Sequence, residues 1–226
     1  MTSARVLLFL LCASLPVAAQ TPRAHFAPHA MVAAANPLAA EAGLDMLKAG
    51  GSAVLNLVEP ESSGIGGGAF LLLFDPKEKK TTSFDGREVA PQSASHGMFL
   101  NAAGQARSRG EVIPGGLSVG IPGVIGMLEL AHQKYGKLPW DRLFQPAIRL
   151  AEDGFPIGPK LARTIAGAGS GMLHMPAIRD TFFHADGSPR KQGEILKNPA
   201  FASSLRTIAA GGAKAFYTGA IAQEIV

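Results

Sequence analysis

Arg87 is the side chain whose surroundings best suit ligand chemistry. It lies in Asp85-Gly-Arg-Glu88, directly after a stretch that reads as a returning β-strand, where a side chain can be held rigidly. A guanidinium there offers a carboxylate two parallel N–H groups, a fork that Lys cannot form. The same spacing also allows a structural ion pair with Asp85 or Glu88, and the residues alone leave both readings open. Gly64-Ile-Gly-Gly-Gly-Ala69 satisfies the spacing of a dinucleotide fingerprint. That fingerprint needs a helix opening behind the glycines, whose N-terminus binds the pyrophosphate. Here an apolar strand pattern follows, so nucleotide binding is rejected. No Lys follows the glycines, which removes a phosphate-binding P-loop. Close backbone approach, of two chain segments or of a substrate, is the better use of these glycines.

The remaining reactive residue types are scattered. Histidines at 25, 29, 96, 132, 174 and 184 show no metal-ligand spacing with a nearby carboxylate. They read as surface or core residues, and no metal or cofactor is expected. Ser62-Ser63 stands in no G-x-S-x-G frame, so a nucleophile elbow is absent.

Ala69-Phe-Leu-Leu-Leu-Phe74 predicts a central strand, Asp75-Pro76 a turn with a charged tip at Lys77–Lys80, and Thr81–Phe84 the partner strand of a hairpin. Upstream, Met31–Ala35 reads as a short buried strand. Asn36-Pro37 opens a helix over 37–49 that Gly50-Gly51 stops. Helical patterns recur at about 122–135, 141–153 and 199–211, with Gly136, Gly154 and Gly211-Gly212 as stops. Asn198-Pro199 starts the last of these, and Phe201, Leu205, Ile208 and Ala209 form its buried stripe. Strands followed by helices imply an α/β fold with helices layered on a sheet. Thr218 is a candidate cap for a final helix with Ile221, Ala222 and Ile225 on its apolar face. That pattern stops at Val226 without a capping Gly or a basic last turn, as a truncated chain would.

Of 226 residues, 47% are hydrophobic and 17% charged, which excludes disorder for the chain as a whole. Net charge is +4 and thinly spread, so the clustered cations of a nucleic-acid binder are missing. Arg5, the apolar run Val6–Ala13 and the small residues Val17-Ala18-Ala19 have the form of a secretory signal peptide, residues 1–19. The run is too short to span a bilayer, so export to the periplasm or medium is expected rather than a membrane anchor. Cleavage after Ala19 removes Cys12, the only cysteine, leaving no disulfide and no thiol nucleophile. A polar lead-in over 20–30 then precedes one folded region, 31–226.

Several motifs occur together in one order. Asn36-Pro37-Leu38, Gly50-Gly51-Ser-Ala-Val54, Val58-Glu-Pro-Glu-Ser-Ser-Gly-Ile-Gly-Gly-Gly68 and Asp85-Gly-Arg-Glu-Val-Ala-Pro91 resemble the large-subunit part of the gamma-glutamyltransferases, or glutathione hydrolases. The resemblance continues through Ser118-Val-Gly-Ile-Pro-Gly-Val124, Leu130–Trp140, Pro146–Phe155 and Ala209–Gly219. It implies an N-terminal-nucleophile hydrolase with an αββα sandwich. Such a precursor cuts itself before a Thr, which then attacks the γ-carbonyl of a γ-glutamyl amide with its own α-amine as base. The acyl-enzyme passes to water or to an amino-acid or peptide acceptor. By position, Arg87 matches the arginine that grips the glutamyl α-carboxylate.

Two departures accompany the resemblance. The family's Thr, its oxyanion-hole glycines and its other glutamyl contacts fall beyond Val226, so the small subunit of the precursor is expected as the missing partner. About nine residues of the family's helix are also absent after Val54, a length of roughly 13 Å as helix. The expectation is an exported enzyme part that is inactive alone. A catalytically inert γ-glutamyl-binding fragment and a truncated pseudogene product are the alternatives.

Overall fold

The computed structural model describes residues 55–62, 64–75, 78–113, 116–168, 173 and 175–226. The readings for 1–54, including the signal peptide, the strand at 31–35 and the helix at 37–49, lie outside the described residues, as do His25, His29, His174 and Ser63. All described residues belong to the second of two compact units, Val32–Val226.

A short helix, α1 (Leu55–Val58), buries Leu57 and Val58 and leads into the glycine-rich segment. The hairpin follows as β1 (Ala69–Asp75) and β2 (Lys80–Gly86), antiparallel, with Leu71 opposite Phe84 and Leu73 opposite Thr82. These four residues share one face, because cross-strand partners point to the same side of a sheet. Helix α2 (Arg109–Val112) is a single turn, and α3 (Val124–Tyr135) covers the hairpin's inner face. Tyr135 joins the two: its hydroxyl lies 2.9 Å from Thr82 Oγ1 and its ring meets Phe84 edge-on. The outer face carries Phe70, Leu72 and Phe74, each at least 60% exposed. β1 therefore differs from the central strand its sequence predicts. Among the described residues it pairs on one side only and is covered on one face.

The helical half holds most of the core. A 3-10 turn at Trp140–Phe144 runs into α4 (Gln145–Asp153), so the helical pattern over 141–153 is divided. A two-residue hairpin, β3 (Phe155–Pro156) with β4 (Ile195–Leu196), brackets α5 (Pro159–Gly167) and α6 (Pro176–Phe182). Both helices begin with a Pro in the first turn, where its missing N–H has no intrahelical partner to lose. Ala147, Ile148 and Ala151 of α4 pack with Ala202, Leu205 and Ile208 of α7 (Pro199–Thr218). Asn198 caps α7 as its sequence predicts, accepting from Phe201 N–H at 3.0 Å.

Gly211-Gly212 does not stop α7. Gly212 adopts φ 65° and ψ −165°, a region essentially reserved for glycine, and the helix resumes beyond it at a kink. The backbone groups beside the break are satisfied from outside. Glu129 on α3 accepts the Ala213 N–H at 2.7 Å, and the Trp140 indole N–H donates to the Ile208 carbonyl at 3.0 Å. The kink thus has a cause and two supports. Thr218 caps nothing; its hydroxyl donates back to Lys214 O, and Gly219 is the N-cap of α8 (Ala220–Ile225). No described helix is long and apolar enough to cross a membrane.

Candidate functional site

Three backbone segments meet at the N-terminus of α3. The first is the glycine-rich turn 64–68, closed by Gly67 N–H to Gly64 O at 3.2 Å. The second is the exit of β2, Asp85–Val89. The third is 118–124, bridged to the second by Val89 N–H to Ile121 O at 3.3 Å and Ile121 N–H to Val89 O at 2.8 Å. The Gly67 carbonyl accepts from both Gly123 N at 3.1 Å and Val124 N at 3.2 Å. A backbone carbonyl here satisfies N–H groups at a helix start whose N-cap glycine has no side chain to do so.

The glycines allow this convergence by lacking a Cβ. A Cβ on Gly68 would overlap the Glu88 carboxylate and come within 2.9 Å of Arg87 Cα. One on Gly123 would overlap Gly86 O and lie 2.6 Å from Arg87 O, and one on Gly120 would lie 2.7 Å from Glu88 Cβ. None of Gly64, Gly66, Gly67 or Gly68 has a positive φ. Their contribution is therefore close approach of chain segments, one of the two uses their sequence suggests, rather than a left-handed turn.

Arg87 occupies the centre of this junction. Its backbone N–H donates to Asp85 Oδ1 at 2.9 Å, so the Asp85 carboxylate shapes the turn. Its Nη1 lies 3.0 Å from Glu88 Oε2, and the side chain remains 57% exposed. That ion pair is not aligned as a hydrogen bond, which leaves the buried Glu88 Oε2 without a hydrogen-bond partner among the described residues. At this exposure the pair contributes about 0–1 kcal/mol. Of the two ion pairs the sequence allows, the guanidinium makes the one with Glu88. Most of its surface stays open, as carboxylate binding would require.

The turn before the glycines is anchored separately. Glu59, the buried acidic residue among those described, meets Lys160 of α5 at 2.9 Å, and Lys160 also donates to Ser62 Oγ at 2.6 Å. The Glu59 hydrogen bond raises the Lys160 pKa above its ordinary value, keeping the ammonium charged. Ser62, which stands in no nucleophile-elbow frame, is thus an acceptor in an ion-pair cluster. The described histidines have other work or none: His132 bonds Leu138 O at 2.7 Å, His184 pairs with Glu194 at 3.0 Å, and His96 is exposed. No group of three or more potential metal ligands occurs among the described residues. An open depression lined by Phe99, Arg107, Arg109, Val112, Ile113 and Ser118 shares only Ser118 with the junction and does not include Arg87.

A search of solved structures finds the same arrangement of chain in the gamma-glutamyltranspeptidase of Helicobacter pylori, with a TM-score of 0.81 and 30% identity. The match covers 89% of this chain and 60% of that one. The fold is α/β, that of the N-terminal-nucleophile hydrolases to which such enzymes belong. By sequence, glutathione hydrolase 3 of Arabidopsis thaliana is 41% identical over 205 residues, 87% of this chain and 31% of the relative. The glutathione hydrolase proenzyme of Bacillus subtilis is 41% identical over 204 residues, 86% of this chain and 34% of the relative. A family profile described as Gamma-glutamyltranspeptidase matches residues 39–226. The chain belongs to the gamma-glutamyltranspeptidase family, and spans about a third of the length of the curated relatives it matches.

Sequence reasoning singled out Arg87 and the glycine-rich turn but passed over the groups that hold them together: Gly120, Gly123, Glu59 with Lys160, and Tyr217. Two of these were visible as the glycines of Ser118–Val124. The others depend on contacts about 90 or more residues apart.

Proposed function

We propose that this chain is the large-subunit part of an exported gamma-glutamyltransferase that cleaves γ-glutamyl amides such as glutathione. The acyl group goes to water or to an amino acid or peptide. Arg87 takes the substrate α-carboxylate in a two-point fork, which fixes the γ-carbonyl relative to the nucleophile. That nucleophile is a Thr freed by self-cleavage and lying outside these 226 residues. Its hydroxyl attacks the γ-carbonyl while its own α-amine takes the proton, and the amine of the leaving group departs protonated. Water or an acceptor amine then resolves the acyl-Thr ester. The observation that carries this reading is an exposed guanidinium, on a residue whose backbone is packed where three segments converge, in a member of the gamma-glutamyltranspeptidase family.

The intact polypeptide is expected to process itself and hydrolyse γ-glutamyl-p-nitroanilide, while the 226-residue chain does neither. Saturable turnover by the pure 226-residue chain would overturn the assignment of the nucleophile elsewhere. Saturable binding of a γ-glutamyl compound, with no turnover even in the intact polypeptide, would favour the inert binding fragment. Export is tested by N-terminal sequencing of the periplasmic or secreted protein, which should begin at or near Gln20; Met1 retained on cytoplasmic protein contradicts it.

A further inference from the structure

We propose that Tyr217 is a positioning residue for the Arg87 subsite, acting from the last turn of α7 through the N-terminus of α3. This rests on the reading of Arg87 given above. The Tyr217 phenol uses both of its hydrogen-bonding functions on one short segment. It donates to Pro122 O at 2.7 Å and accepts from Gly126 N–H at 3.1 Å. Gly126 is the third residue of α3, where a backbone N–H has no intrahelical acceptor and Gly123, the N-cap, has no side chain to supply one. Tyr217 is thus a cap brought in from 91 residues away.

The capped segment is also the one that assembles the site. Gly123 N–H and Val124 N–H, between the two atoms that Tyr217 holds, donate to Gly67 O. Gly123 packs against the Gly86 and Arg87 carbonyls so closely that no Cβ fits. A shift of the α3 N-terminus therefore moves both the glycine-rich turn and the Arg87 backbone. The α7 kink completes the arrangement. Beyond Gly212, Ala213 is tied to Glu129 of α3 and Tyr217 to Gly126, so two residues four apart on one helix grip two residues three apart on the other. The ring itself is held edge-on by Phe216, at 5.0 Å between centroids. The phenol does not need to touch substrate to do this.

Tyr217→Phe keeps the ring and removes both hydrogen bonds. In the intact enzyme it should raise KM for γ-glutamyl donors by roughly three- to tenfold, the effect of losing ordinary hydrogen bonds at one remove, and leave acceptor KM and self-processing unchanged. Amide exchange at Gly123, Val124 and Gly126 should quicken by roughly five- to tenfold while that of α4 stays as it was. With Arg87→Lys already present, Tyr217→Phe should add less than a twofold loss, since its effect passes through Arg87. Full multiplication of the two effects, unchanged exchange at Gly123 and Val124, or failure of Tyr217→Phe to fold would each overturn the proposal. If wild type itself turns over no γ-glutamyl donor, the functional reading fails, and the exchange measurement still decides whether Tyr217 holds the junction.

Discussion

Arg87→Lys in the intact enzyme lowers kcat/KM for γ-glutamyl donors by roughly ten- to a hundredfold, since the lost charge-assisted hydrogen bond is worth about 1.5–3 kcal/mol. Lys keeps the positive charge and its attraction to Glu88, but a single ammonium cannot hold both oxygens of the α-carboxylate. On the proposed reading the loss should appear with every γ-glutamyl donor and spare the dependence on acceptor. Self-cleavage should survive, because processing requires no bound glutamate. Steady-state kinetics over a series of donors and acceptors makes the check. Should the variant lose folding or processing while a recovered fraction shows normal donor KM, the 3.0 Å pair with Glu88 is the residue's main role.

Gly123→Ala carries the second large effect, on stability and on donor binding together. The residue's own backbone, φ −107° and ψ −18°, suits any amino acid, so conformational strain is not the cause. The added methyl would overlap the Gly86 carbonyl and sit 2.6 Å from that of Arg87. These are backbone atoms at the end of β2, which cannot swing aside like a flexible side chain. Overpacking of this kind costs about 1–3 kcal/mol, to be read as a lowered denaturation midpoint. Relief of the overlap must displace either Arg87 or the α3 N-terminus, so donor KM should rise as well. Gly66→Ala serves as the control, because a Cβ there meets nothing within 4 Å, and it should leave stability within about 0.5 kcal/mol of wild type. Equal stability of the two variants would mean that the three segments are not packed as described.

The elements that sequence reveals best are those fixed by local physics. Asn198 followed by Pro199 opens a helix because its side chain can cap the first turn, and it does so. The hairpin is legible in Ala69–Phe84 because an apolar run, a turn and a second strand suffice to define it. Local rules mislead where a distant partner intervenes. Gly211-Gly212 reads as a helix stop, but Glu129 and Trp140 supply the hydrogen bonds that let α7 continue past the break. Thr218 reads as a cap, yet its hydroxyl is taken by its own helix. The starts of α5 and α6 carry a local signal of the same kind, Pro159 and Pro176 in their first turns.

The site divides the same way. Arg87 could be singled out from its neighbours, and the close-approach reading of Gly64–Gly68 needed only the absence of a following helix. Its partner, however, is a segment more than 50 residues later, where Gly120 and Gly123 complete the contact. Whether Arg87 would pair with Asp85 or Glu88 was open in the sequence. The turn settles it by spending Asp85 on the Arg87 backbone N–H, which leaves Glu88 facing the guanidinium.

The most direct measurement is a crystal structure of the processed enzyme with glutamate bound. A carboxylate-binding role for Arg87 requires the glutamate α-carboxylate forked on its guanidinium, with two N–H···O contacts of about 2.7–2.9 Å. The same role leaves the backbone of 64–68, 85–89 and 118–124 unmoved, since the junction is already assembled in the free chain. Glutamate bound with its α-carboxylate on other groups, and Arg87 still paired with Glu88 alone, would contradict that role.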